Sequence, residues 1–137
     1  MKQLTVILLS LTAAIIFSGL NTTSVDSRQQ INAVLGDISF VKKFGHQPNR
    51  ATDENLRIKT HLEYVENLLR QKDISNLSLG LREKRMHLID LLDHYRMAGI
   101  FPRNYDHSGQ RIPCFIDKDG RICAVGYLIE QTAGRQV

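Results

Sequence analysis

The sequence predicts an α+β fold that is mostly α, with an antiparallel helical hairpin, then a small β-hairpin and a short C-terminal helix. Two segments, 52–71 and 78–97, carry apolar residues at helical spacing and are joined by a short polar stretch. Two such helices bury their apolar stripes most simply against each other, as an antiparallel pair. Downstream, turn residues concentrated between apolar runs at 111–122 indicate a tight β-hairpin.

The helical hairpin has recognisable ends. Thr52 is the expected N-cap of the first long helix, and Ser78 that of the second, which should stop at Gly99. The first stripe consists of Ile58, Leu62, Val65 and Leu69, and the second of Leu81, Leu88, Leu92 and Tyr95. A shorter helix is predicted after Asp37, ending at Gly45.

The segment after the turn at 117–120 fits two structures. Residues 122–129 form an apolar run typical of a buried strand, yet their apolar positions also match a helix that Gly134 would stop. We favour a helix that begins near Cys123, with Arg121 and Ile122 as a short return strand.

Residues 1–24 have the features of a secretory signal peptide. Lys2 provides the positive start, no acidic residue occurs, and an apolar stretch of about 14 residues follows, short of the ~20 that span a bilayer. Cleavage after Ser18 or after Ser24 fits the small residues there. The protein is therefore expected to be secreted or periplasmic. The alternative is an uncleaved N-terminal anchor, the one case in which membrane contact is expected.

The remaining chain is divided into a poorly defined segment, 25–51, and a domain at 52–137. Without Lys2 the net charge falls from +4 to +3, which does not indicate nucleic-acid binding. The densest basic cluster comprises Arg82, Lys84 and Arg85, and we interpret it as a solvated helix face. No cofactor is predicted.

Cys123 is the residue with the most distinctive potential chemistry. At a helix N-terminus its thiolate would be favoured, and His107 or His94 could act as the base of a thiol-dependent enzyme. A buried, unreactive thiol is the simpler interpretation. Nothing around Cys123 matches a nucleophile signature, so no catalytic residue is assigned.

A disulfide between Cys114 and Cys123 depends on the length of the hairpin turn. A two-residue turn at 118–119 places the two cysteines opposite each other, within bonding distance. A three-residue turn with left-handed Gly120 places Cys114 opposite Ala124 instead, and then no bond can form.

Two acidic or histidine clusters are weak candidates for metal binding. His87, Asp90 and His94 share one helix face, but that face is expected to be solvent-exposed and has no closing ligand. Asp117 and Asp119 resemble a fragment of a calcium loop whose first and closing carboxylates are missing. We predict no metal site.

The C-terminal motif resembles that of an uncharacterised family of exported bacterial proteins. The pattern is R-x-P-x-F-I-D at 111–117, then Gly120, then C-A-V-G-Y-L-I at 123–129, and the resemblance extends over about the last 90 residues. The family has no assigned activity, so the resemblance implies no functional residue. Its pattern includes the cysteine at Cys123 but not the one at Cys114. Similar proteins continue beyond the last helix, so the resemblance implies a shortened member or an incomplete gene product here.

The expected function is therefore that of an exported, non-enzymatic binding or structural module with an unknown envelope or extracellular partner. The alternative hypothesis is a thiol-dependent hydrolase or transferase that uses Cys123 with His107.

Overall fold

A computed structural model describes residues 31–32, 36–106 and 112–134 of the chain. Over these ranges the chain forms the helices α1 (Ile38–Phe44), α2 (Glu54–Gln71), α3 (Leu79–Ala98) and α4 (Ala124–Ala133), and it contains no β-strand. The predicted α+β class is wrong, because the described part of the chain is all-helical. The proposed signal peptide, 1–24, lies outside the described residues.

The β-hairpin fails because its return leg is too short. A single antiparallel bridge joins Ile116 to Ile122, and the next residue, Cys123, is already the N-cap of α4. On the opposite leg Pro113 has no N–H to donate to a ladder. The segment is a turn that leads into a helix. This agrees with the favoured interpretation of 122–129 as a helix that begins near Cys123.

The turn itself has three residues, 118–120. Asp117 N–H donates to the carbonyl of Arg121 (2.9 Å), and Gly120 adopts the left-handed conformation with φ of 77°. The N–H of Cys123 bonds the carbonyl of Phe115 (2.8 Å), so in this register Cys114 falls opposite Ala124. Both cysteines are free, so the structure contains the three-residue turn and not the disulfide between Cys114 and Cys123.

The predicted helix ends are close to the observed ones, but the caps differ. Asp53, not Thr52, caps α2, since its carboxylate accepts from Leu56 N–H at 2.8 Å. Asp37 precedes α1 without capping it, because both of its carboxylate oxygens accept from Arg57 at 2.9 Å. That buried ion pair ties α1 to α2.

Cross-helix contacts show that α2 and α3 run antiparallel. Near the open end Lys59 lies against Gly99, where α3 stops at φ of 66°. Arg96 binds Glu66 farther along, and Asp90 binds Arg70 closer to the connecting loop. As the residue number increases along α2, the residue number of its partner in α3 decreases.

Tyr95 joins the helical pair to the C-terminal segment. Its ring contacts Phe101 and Tyr127, with centroids 5.4 and 5.3 Å apart, and its hydroxyl donates to the carbonyl of Ile122 at 2.9 Å. Tyr95 and Phe101 are buried, at 6% and 3% exposure. Through these contacts α4 is held against α3.

The predicted stripe of α3 is buried only in its C-terminal half. Leu92 and Tyr95 are buried, as expected, and Ile89 joins them. Leu81 and Leu88, however, are 53% and 38% exposed. The expectation that the whole stripe packs against α2 is therefore wrong for the N-terminal half of α3.

Candidate binding groove

An open groove of about 520 Å³ runs along the exposed half of the α3 stripe. Its surface is almost entirely apolar carbon, and among the described residues no carboxylate lines it. The groove is lined by Leu69, Leu77, Leu81, Lys84, Arg85, Leu88, Ile89, Leu92 and Leu128.

Four parts of the chain build this groove. Leu81, Leu88 and Leu92 fall on one face of α3 because they are separated by seven and four residues. Leu69, near the end of α2, and Leu77, in the connecting loop, lie alongside. From α4, which has only 10 residues, Leu128 alone enters the lining. Leu81 and Leu88 therefore have neighbours at the side but remain partly exposed to solvent, whereas Leu92 is buried.

Two basic residues of α3, Lys84 and Arg85, line the groove, and Arg82 lies beside them in the sequence. Arg82 donates to the carbonyls of Leu77 (2.8 Å) and Ser75 (2.6 Å), and Arg85 donates to the carbonyl of Leu69 at 2.8 Å. The Arg82 bonds hold the loop against α3, and Arg85 supplies a donor to a carbonyl near the C-terminal end of α2. Only Lys84 fits the predicted solvated face, since the two arginines are part-buried.

The charges of these three residues are not neutralised within the described chain. Among the residues that the structure describes, none of the three forms an ion pair with a carboxylate. The Nε atom of Arg85 is buried and makes no hydrogen bond there. The groove thus combines apolar walls with a cationic border.

Cys123, the candidate nucleophile, caps the N-terminus of α4. Its Sγ accepts from the N–H of Gly126 at 3.5 Å, and the thiol is part-buried. His94 is exposed on α3 and makes no hydrogen bond to Cys123 in the described region, and the other proposed base, His107, lies outside that region. The residues described do not assemble a Cys–His pair.

Asp117 has a structural role in the turn that precedes α4. Its buried carboxylate accepts from the N–H groups of Arg103 (2.9 Å), Asp119 (3.0 Å) and Arg121 (2.9 Å). Burial by itself raises the pKa of Asp117, but the three N–H donors and the Arg121 charge outweigh it and hold the pKa below its ordinary value. Asp117 therefore anchors the segment after α3 to the turn.

The pKa of Tyr95 is shifted in the opposite direction from that of Asp117. Loss of water around the phenol raises the pKa of Tyr95 well above its ordinary value, and the nearby thiol of Cys123 adds to the shift. Tyr95 thus remains a neutral donor to the Ile122 carbonyl. This hydrogen bond is structural, and it leaves the start of α4 fixed against α3.

The metal candidates are dispersed. His87, Asp90 and His94 are exposed, and Asp90 is occupied by an ion pair with Arg70. Over the ranges that the structure describes, no three histidine, cysteine or carboxylate side chains are grouped as a metal site would require.

The groove itself was not foreseen from the sequence, although a signal was present. Leu77, Leu79 and Leu81 place three leucines around the start of α3, more than the end of α2 at Gln71 can cover. Leu81 was predicted to be a buried position of the α3 stripe, so the excess of leucines was not recognised. The neighbouring basic cluster was accordingly interpreted as a solvated helix face.

Within the described ranges, no helix combines the length and hydrophobicity needed to cross a bilayer. Comparisons with protein-family models, curated proteins and solved structures found no match, so the groove is interpreted from its own chemistry.

Proposed function

We propose that this chain is an exported, non-enzymatic binding module that acts through the groove on α3. The observation that carries the proposal is the exposure of Leu81 and Leu88 within a stripe whose other half is buried. A concave apolar surface with a charged border is typical of interaction sites.

The energetics favour an occupied groove. Fully burying a leucine side chain is worth about 1.5–3 kcal/mol relative to leaving it in water. Covering the exposed parts of Leu81 and Leu88 would therefore contribute a useful fraction of the binding free energy of a complex with a micromolar Kd, which is about 8 kcal/mol. The hydrogen bonds from Arg82 to the connecting loop and from Arg85 to the end of α2 hold the groove lining in place, which lowers the ordering cost on binding.

The exported location rests on residues 1–24. Their positive start and apolar stretch support passage out of the cytoplasm, followed by release or, in the alternative, by N-terminal anchoring. The partner is then a component of the envelope or of the extracellular space.

An anilinonaphthalene sulfonate dye tests the groove directly, because such dyes fluoresce on accessible apolar surface. The full chain, once shown to unfold in one cooperative thermal transition, should bind the dye saturably. Leu81→Gln should lower the bound fluorescence at least about twofold, since it removes an exposed groove leucine. The matched control is Met97→Gln, which changes a 64% exposed residue at the far end of the same helix. Equal effects of the two variants would contradict the proposal.

Thiol labelling separates this proposal from the alternative hypothesis, a hydrolase or transferase that uses Cys123 with His107. In a binding module the part-buried Cys123 should react slowly with a maleimide near neutral pH. The denatured, unreduced chain supplies the reference and should titrate two free thiols. Rapid and selective labelling of Cys123 in the native protein would favour the enzyme instead.

A further inference from the structure

We propose that the partner of the groove is an amphipathic α-helix with acidic residues beside its apolar stripe. This inference rests on the proposed function and names the partner class for the same surface. It follows from the length, the openness and the charge of the groove.

The length of the groove suits a helix. From Leu81 to Leu92 the lining advances eleven residues along α3, about 16 Å at the α-helical rise. Three turns of a partner helix cover the same distance and present apolar residues at i, i+3, i+4 and i+7. Such a stripe would lie against the α3 leucines and would also contact Leu77 and Leu128, which line the same groove.

The openness of the groove argues for a macromolecular partner over a small ligand. Small-molecule sites enclose roughly 70–90% of their ligand, which requires walls on most sides. Here the lining residues Leu81 and Leu88 are themselves 53% and 38% exposed. A partner helix would cover these exposed leucines with its own apolar face and so close the groove on its solvent side.

The charge at the border determines the sign of the partner. Lys84 is exposed at the lining and forms no ion pair in the part of the chain described, and Arg85 keeps a buried Nε without a hydrogen bond. Within the part of the chain that the structure describes, no carboxylate lines the groove to offset them. Acidic side chains on either side of a partner's apolar stripe would meet these cations, whereas basic ones would be repelled.

Three synthetic peptides of about 18 residues, the length of a typical groove-binding helix, test this inference on the full chain. The first has leucines at alternating spacings of three and four with glutamates flanking them. In the second, lysines replace the glutamates. The third keeps the first composition but scrambles the leucine positions. Affinity is measured by fluorescence anisotropy at low and high salt.

The acidic peptide should bind at least about tenfold more tightly than the lysine peptide, and more weakly as salt rises. The scrambled peptide should bind little. Lys84→Glu should weaken the acidic peptide roughly fivefold and favour the lysine peptide. Arg50→Glu, the same charge change at an exposed loop residue, should leave both affinities unchanged.

The outcomes separate the two proposals. Equal binding of acidic and lysine peptides, or an equal effect of Lys84→Glu and Arg50→Glu, would overturn the acidic-helix inference. If the dye binds the groove but no peptide does, the inference fails and the binding module stands. Failure of both dye and peptides would refute both. Binding to anionic phospholipid vesicles that is lost in Leu81→Gln, with no peptide binding, would assign the groove to a membrane surface instead.

Discussion

At the residue scale, Asp117 shows how one carboxylate can organise an irregular segment. It accepts hydrogen bonds from the N–H groups of Asp119 in the turn, of Arg121 after it and of the more distant Arg103. From the sequence, Asp117 was interpreted as a turn residue and not as a metal ligand. The N–H groups that converge on Asp117 could not be predicted from the sequence, because Arg103 approaches it only when the chain after α3 lies beside the turn.

The lowered pKa of Asp117 predicts an acid-dependent loss of stability. The folded protein prefers the ionised carboxylate, so this contribution is complete above the ordinary pKa of 3.8 and is lost as pH falls through the lower folded-state pKa. Asp117→Asn should lower the melting temperature at neutral pH by roughly 5 °C, because it removes a charged acceptor. The difference from the unmodified protein should shrink toward about pH 2.

Asp106→Asn serves as the control for thermal melts followed by circular dichroism. Asp106 is exposed in the same part of the chain, and its substitution should not alter the melting temperature measurably. A gap between Asp117→Asn and the unmodified protein that stays constant from neutral to acidic pH would show that the Asp117 charge does not stabilise the fold.

At the element scale, α2 and α3 are joined by ion pairs as well as by their apolar faces. Glu66 is buried in α2 and accepts from Arg70 of its own helix and from Arg96 of α3. Arg96 also pairs with Asp93, and Arg70 with Asp90, so the carboxylate is the centre of a connected network. Its acceptor capacity is used by two guanidinium groups.

Glu66→Ala should lower the free energy of unfolding by about 2 kcal/mol, since it removes the buried carboxylate that Arg70 and Arg96 share and leaves each guanidinium with one carboxylate partner fewer. Urea denaturation with an unchanged m-value measures this loss. Glu63→Ala provides the matched control one turn away, because Glu63 pairs with Lys43 at the surface and should cost no more than about 0.5 kcal/mol. Equal losses in the two variants would show that the network does not couple α2 to α3.

The elements themselves were largely predictable. Apolar periodicity indicated the four helices that the structure describes, and Gly99 marked the end of α3, because local sequence determines where a helix can start and stop. The helix that starts near Cys123 was also expected, but the β-hairpin before it was wrong. The two residues between the turn and Cys123 form a single bridge, and a turn pattern does not show how many bridges its two legs will form.

At the scale of the whole molecule, the groove results from unequal coverage along α3. Tyr95, near the C-terminal end, is covered by Phe101 and Tyr127, whereas Leu81, near the N-terminal end, has no comparable cover. Periodicity predicts which residues share a face of a helix, but not how far its neighbours extend along it. For that reason the sequence could indicate the stripe and could not indicate its exposed half.

The most direct test of the central claim is a backbone-amide NMR titration of the full chain with the acidic amphipathic peptide. The proposal predicts saturable chemical-shift changes concentrated in the connecting loop, in the first half of α3 and around Leu128. Helix α1 should change little, because it packs on α2 away from the groove lining. No saturable shifts, or shifts centred on α1 or on the turn at 117–120, would contradict the assignment of this groove as the binding surface.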